Sequence, residues 1–163
     1  MSLRFREKVQ TVSRQAELIR LQVVAGILCD ADNRVLITER VDDGPFHGMW
    51  EFPGGKLAPG ETPEAALARE LLEEIGVTPR TSELFMSLEH DYPDRHVAID
   101  FYLVTTWRNE PLGLEGQELR WVAADQLADE RLLPADEPVV TALSMKAAGG
   151  ALFVGSKAQR SEP

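Results

Sequence analysis

At 163 residues with 44% hydrophobic side chains, the chain is sized for one domain with an ordinary core. A formal net charge of −10 argues against a nucleic-acid polymer as partner, which would want a basic face; a nucleotide bridged to the protein by a divalent cation stays open. The single cysteine, Cys29, excludes an intrachain disulfide or a multi-cysteine zinc site and fits a reducing, cytoplasmic setting, and no apolar run approaches the roughly 20 residues that span a bilayer.

Residues 1–20 read as an N-terminal extension. Phe5, Val9, Val12, Ala16 and Ile19 recur with helical spacing, which predicts a short amphipathic helix; Glu7 and Glu17 interrupt the basic run and argue against a transit peptide. A domain is expected over 21–148. LQVVAGILC (21–29) is a buried strand, and a turn at 30–33 leads into RVLITER (34–40), its expected partner. WEF (50–52) is a short strand, GGKLAPGE a loop, and Thr62 with Pro63 caps and opens a helix that Gly76 ends. SELFMSLEHDY and HVAIDFYLVTTW are strands flanking a Pro-Asp turn. ELRWV (118–122) is a further strand, AADQLAD a short helix and EPVVTALSMKAA (137–148) a terminal helix, followed by a flexible tail over 149–163. Interleaved strands and helices predict an α/β (α+β) domain in which a mixed sheet lies between helices.

The helix carries the chemistry. At about 100° per residue, Ala65, Leu67, Ala68, Leu71, Leu72 and Ile75 share one apolar arc. Glu70, Glu73 and Glu74 fall on an adjoining arc, with only the small Ala66 among them. A run such as ELLEE is ordinarily a solvated helix face. Here the carboxylates are expected to converge at the edge of the buried face, where divalent cations relieve their repulsion; oxygen-only sites of this kind suit Mg²⁺ or Mn²⁺. The Gly54–Gly55 pair would let the backbone approach that helix closely.

The spacing Gly55, five residues, Glu61, seven residues, Arg69-Glu70-Leu71, one residue, Glu73-Glu74, one residue, Gly76-Val77 resembles the complete signature of the Nudix hydrolases. VVAGIL, ITER, WEFPGGK, YPDRH, GLEGQELRW and LLPADEPVV follow in the order seen in MutT-type members, over about residues 21–145.

What the resemblance implies is the Nudix fold and a Mg²⁺-dependent hydrolysis of a nucleoside triphosphate to monophosphate and pyrophosphate. Glu70, Glu73 and Glu74 with the Gly55 carbonyl would be metal ligands, and either Glu70 or Glu74 would take a proton from water. Glu115 matches a further acidic position used as ligand or base. Arg69, Glu61 and Gly76 would support the motif, while Arg40 and Lys56 are candidate phosphate contacts. Phe52, Tyr92 and Arg95 match residues near the base. Asp136 stands where the 8-oxo-dGTP hydrolases carry asparagine and CTP-acting relatives carry aspartate. The implied role is 8-oxo-dGTP diphosphatase in nucleotide-pool sanitation, serving DNA replication and repair. Hydrolysis of CTP or modified dCTP is the alternative, and a non-catalytic nucleotide sensor a third. His47, His90 and His96 show no ligand spacing. Monomer and homodimer both stay open.

Overall fold

The computed structural model describes residues 19–150. The amphipathic segment expected before residue 19 and the tail beyond residue 150 lie outside these described residues.

β1 (Ile19–Leu28) takes in Ile19 and Arg20 and forms the centre of a four-stranded sheet. β6 (Arg95–Arg108) runs parallel to it, from Ile19↔Arg95 to Leu28↔Val104. β4 (Gly54–Lys56) pairs antiparallel on its other edge, and β5 (Thr78–Tyr92) pairs antiparallel with β6. β2 (Arg34–Glu39) does not pair along β1, as its position after a tight turn suggested. Both edges of β1 are already taken, so after a single Cys29↔Val35 bridge the chain peels away. β2 then centres a second, antiparallel sheet between β3 (Trp50–Glu51) and β7 (Leu119–Ala123).

β1 and β6 are buried on both sides, and their alternating side chains feed two cores. Val97, Ile99, Phe101 and Leu103 join Ala25, Ile27, Val35 and Ile37 on one side. Packed over them is α2 (Glu137–Ala148), through Val139, Val140 and Leu143, together with Leu127 of a 3₁₀ segment at Ala124–Asp129. Tyr102, Val104, Val24 and Leu28 face the opposite core, covered by α1 (Pro63–Ile75). The mixed sheet between helices is therefore present, with the smaller sheet added at its flank. Among the described residues no helix is long and apolar enough to cross a membrane.

α1 begins where the Thr62 hydroxyl accepts a hydrogen bond from the Ala65 amide, with Pro63 in the first turn. It ends at Gly76, whose φ of 71° closes the helix. Its inward face differs from the apolar arc read off the sequence. Ala66, Leu67, Leu71 and Ile75 are buried, whereas Ala65 is exposed and Leu72 is 51% exposed. The helix is rolled toward its glutamates because the glycine strand β4 packs on that side, so Glu70 and Glu74 lie on the inward face.

Candidate active site

The GGK segment is a strand, not the loop its composition suggested. Gly54 and Gly55 pair with Ala25 and Val24, and the Leu57 amide continues the ladder to the Gln22 carbonyl at 3.0 Å. Each glycine has its own reason. A β-carbon on Gly54 would strike the Val24 carbonyl and Ala25 Cα, while one on Gly55 would strike the Glu70 carboxylate. The close backbone approach expected of the pair is thus made against β1 on one side and α1 on the other.

Arg69 organises the motif. Its Nε and Nη2 donate to the two Glu61 oxygens, both at 2.8 Å, and Nη1 donates to Glu70 at 2.8 Å. Nη2 also reaches the Lys56 carbonyl at 3.0 Å, which ties α1 to the end of β4. Glu61 accepts the Ala58 amide as well, and these bonds, Arg69 foremost, hold its pKa down at about 2. The three helix glutamates do not all converge: Glu73 lies outward, 57% exposed and 3.4 Å from Arg69 Nη1 one turn away. Glu70 and Glu74 are the pair that meets the glycine strand.

Glu74 Oε2 accepts the Gly54 amide at 3.2 Å. Burial pushes the Glu74 pKa up to about 8; the Gly54 bond opposes this, and repulsion from Glu115, Glu70 and Glu51 adds to it. Glu115 arrives on the loop before β7, which docks on the C-terminal carbonyls of α1: the Leu112 amide donates to Ile75 and the Leu114 amide to Glu74.

Among the described residues no three carboxylate, histidine or cysteine side chains already form a closed metal cage. The donor set nevertheless fits a hard divalent cation. It is all oxygen, and Glu74 carries the unrelieved negative surroundings that such a cation offsets. Gly76 sits below, closing α1.

Gly54, Gly55, Lys56, Glu74 and Glu115 line one cleft of about 350 Å³, and Arg40, Phe52, Tyr92, Arg95 and Asp136 line the same cleft. Glu70, Glu73, Glu61 and Arg69 do not line it. Arg40 is already engaged, with Nη2 on Asp42 at 2.9 Å and Nη1 on Glu51 at 3.3 Å. Phe52 meets Phe101 edge-on at 6.0 Å, so it serves the core and the cleft together. Asp136 is only 5% exposed and is hydrogen-bonded by the Phe52 backbone amide. Burial first, and then Glu51, raise its pKa well above 3.8. Tyr92 packs against Phe46 at 5.3 Å, lies 5.6 Å below the Arg95 guanidinium and is hydrogen-bonded at its hydroxyl by the Ala135 amide. Arg95 Nε is buried and makes no hydrogen bond, although it pairs with Asp94 Oδ1 at 3.7 Å. His47, His90 and His96 do not line the cleft.

Glu51, Gln117 and Phe46 are among the cleft residues that escaped the sequence analysis. Glu51 lies between two core aromatics, and an acid in that place is a signal of burial with a partner. Gln117 belongs to the EGQ triplet whose glutamate was noticed. Phe46 sits in a loop whose composition carries no signal.

The chain is similar to known proteins over most of its length. The family model described as NUDIX domain matches residues 20–143. The 8-oxo-dGTP diphosphatase of Escherichia coli K12 is 44% identical over 124 residues, covering 76% of this chain and 96% of that protein. The CTP pyrophosphohydrolase of the same organism is 31% identical over 129 residues, covering 78% and 95%. Among solved structures, a MutT chain from a comparison of the Aliivibrio salmonicida and Vibrio cholerae proteins superposes with a TM-score of 0.69 at 40% identity, covering 78% of this chain and 98% of that one. Glycine strand, capped helix and arginine-braced glutamates together occupy the matched region, and the chain belongs to the NUDIX domain family.

Proposed function

We propose that the chain is a divalent-metal-dependent nucleoside triphosphate diphosphatase acting on 8-oxo-dGTP, releasing the monophosphate and pyrophosphate. One observation carries this: Glu74, Glu115 and the glycine strand share a single cleft with Phe52, Tyr92 and a buried carboxyl, Asp136. The 44% identity to an 8-oxo-dGTP diphosphatase supports the substrate class.

Glu70, Glu74, Glu115 and the Gly55 carbonyl would hold Mg²⁺ or Mn²⁺, with Glu73 at the outer side. When bound, the cation neutralises phosphate charge and lowers the pKa of water. Lys56 and Arg40 would meet the phosphates, the latter by exchanging Asp42 for a phosphate oxygen. Glu70 or Glu74 takes the proton of the attacking water. Arg69, Glu61 and Gly76 keep the carboxylates in place.

At the base, Phe52 and Tyr92 provide apolar walls. Asp136 holding a proton offers one donor and one acceptor, as an amide does. That pair fits the O6 and N7–H edge of 8-oxoguanine and mismatches guanine, whose N7 only accepts. Arg95 Nε makes no hydrogen bond and has only the ion pair with Asp94 at 3.7 Å, which supports a ligand acceptor beside it. The same Asp136 pair also fits N3 and the N4 amino group of cytosine, which is why CTP is the second reading, in keeping with the 31% identical CTP pyrophosphohydrolase. The substrate is a free nucleotide in the cytoplasm.

Measuring kcat/KM with Mg²⁺ and pyrophosphate detection for 8-oxo-dGTP, dGTP, CTP and a 5-modified dCTP tests the assignment. 8-oxo-dGTP should lead; a lead by the cytidine nucleotides would transfer the base assignment to them.

A further inference from the structure

Glu115 reaches the cleft on a loop, where it shares the lining with Glu74 and disfavours the ionisation of that carboxyl. What holds the loop is the side chain of Gln117, which is 9% exposed and bonded at both ends. Its Nε2 donates to the Glu74 carbonyl at 2.9 Å, and its Oε1 accepts the Glu115 backbone amide at 2.8 Å. The Leu114 amide shares that Glu74 carbonyl at 3.1 Å. Gly116, at φ 79°, supplies the turn that folds the side chain of Gln117 back onto the backbone of Glu115. Gly113 leaves the room this needs, since a β-carbon there would strike the Gln117 carbonyl.

We infer that Gln117 is a positioning residue for the reaction: its amide clasps the Glu115 loop to the end of α1 and so sets Glu115 beside Glu74. The inference rests on the assignment of Glu115 to the metal and phosphate end of the cleft. Only a side chain with a donor and an acceptor on one planar group makes both bonds. An ionised carboxylate would lose the bond to the Glu74 carbonyl and add a negative charge beside Glu115; a thioether would lose both bonds while keeping the volume.

The test compares the full chain with Gln117→Met, Gln117→Glu, Glu115→Gln and the Gln117→Met/Glu115→Gln double variant. The readouts are kcat, KM and Mn²⁺ binding by electron paramagnetic resonance. Gln117→Met should lower kcat about 10-fold, hold KM within about twofold and weaken Mn²⁺ binding. In the double variant the Gln117 substitution should add little to the loss from Glu115→Gln, because the clasp acts through that residue. If Gln117→Met does not fold, Gln117→Glu carries the same comparison. A wild-type kcat and Mn²⁺ affinity in the Gln117 variants, or losses that multiply in the double variant, would overturn the positioning role while Glu115→Gln stays impaired. A fully active Glu115→Gln would instead remove the assignment of Glu115, and the clasp with it.

Discussion

The Glu70 carboxylate occupies the space that a side chain on residue 55 would fill. Because the obstructing atoms are the far end of a flexible side chain, Gly55→Ala should displace the carboxylate and leave the fold nearly intact. The expected loss in kcat/KM is about 10- to 100-fold, and the stability change within about 1 kcal/mol. Gly54→Ala meets backbone of β1 instead. It should cost about 2–3 kcal/mol of stability and separate β4 from β1. Calorimetric unfolding beside steady-state kinetics distinguishes the two, and similar profiles for both variants would contradict this division of labour.

Arg69 forks onto Glu61 and Glu70 while reaching the Lys56 carbonyl, a geometry that an ammonium does not reproduce. Arg69→Lys keeps the charge and should still lower kcat/KM about 10-fold or more, with a raised Mg²⁺ requirement. Mg²⁺ titration of the rate checks it. Unchanged Mg²⁺ dependence would mean that charge alone suffices.

Asp136 gives the pH dependence a definite sign. Its pKa in the folded chain lies well above the ordinary 3.8, so the folded state keeps a proton that the unfolded chain gives up. Stability from this group is full below 3.8 and declines as pH rises toward the folded value. Asp136→Asn is neutral throughout. Its Tm advantage over the parent should therefore be small at about pH 4 and grow as the pH rises toward about 8. A Tm difference that shrinks with rising pH would reverse the assignment of a protonated Asp136. The same variant should keep 8-oxo-dGTP hydrolysis, since its amide offers the same donor and acceptor.

Much of the site was legible because the Nudix spacing is local: Gly55 to Val77 fixes a strand end, a cap and a helix within one continuous stretch. The phase of α1 was not. Hydropathy favours Leu72 over Ala66, yet a glycine strand packs beside Glu70 and Glu74 and rolls Ala66 inward. β4 was hidden by the low strand preference of glycine. The partner of β2 was misread because adjacency in sequence favours pairing, whereas β6 returns from far along the chain to take that edge of β1. Phe46 and Gln117 matter through contacts with Tyr92 and Glu74, residues distant in sequence, and no local pattern announces such contacts.

Calorimetric titration of Mg²⁺ into the chain saturated with a non-hydrolysable 8-oxo-dGTP analogue, run in buffers of different ionisation heat at neutral pH, tests the proposed metal site most directly. With its pKa at about 8, Glu74 holds a proton that a cation must displace. Saturable Mg²⁺ uptake with proton release is expected for the parent chain, and weaker uptake without that release for Glu74→Gln. Absence of Mg²⁺ uptake, or the same uptake and proton release in Glu74→Gln, would contradict the account.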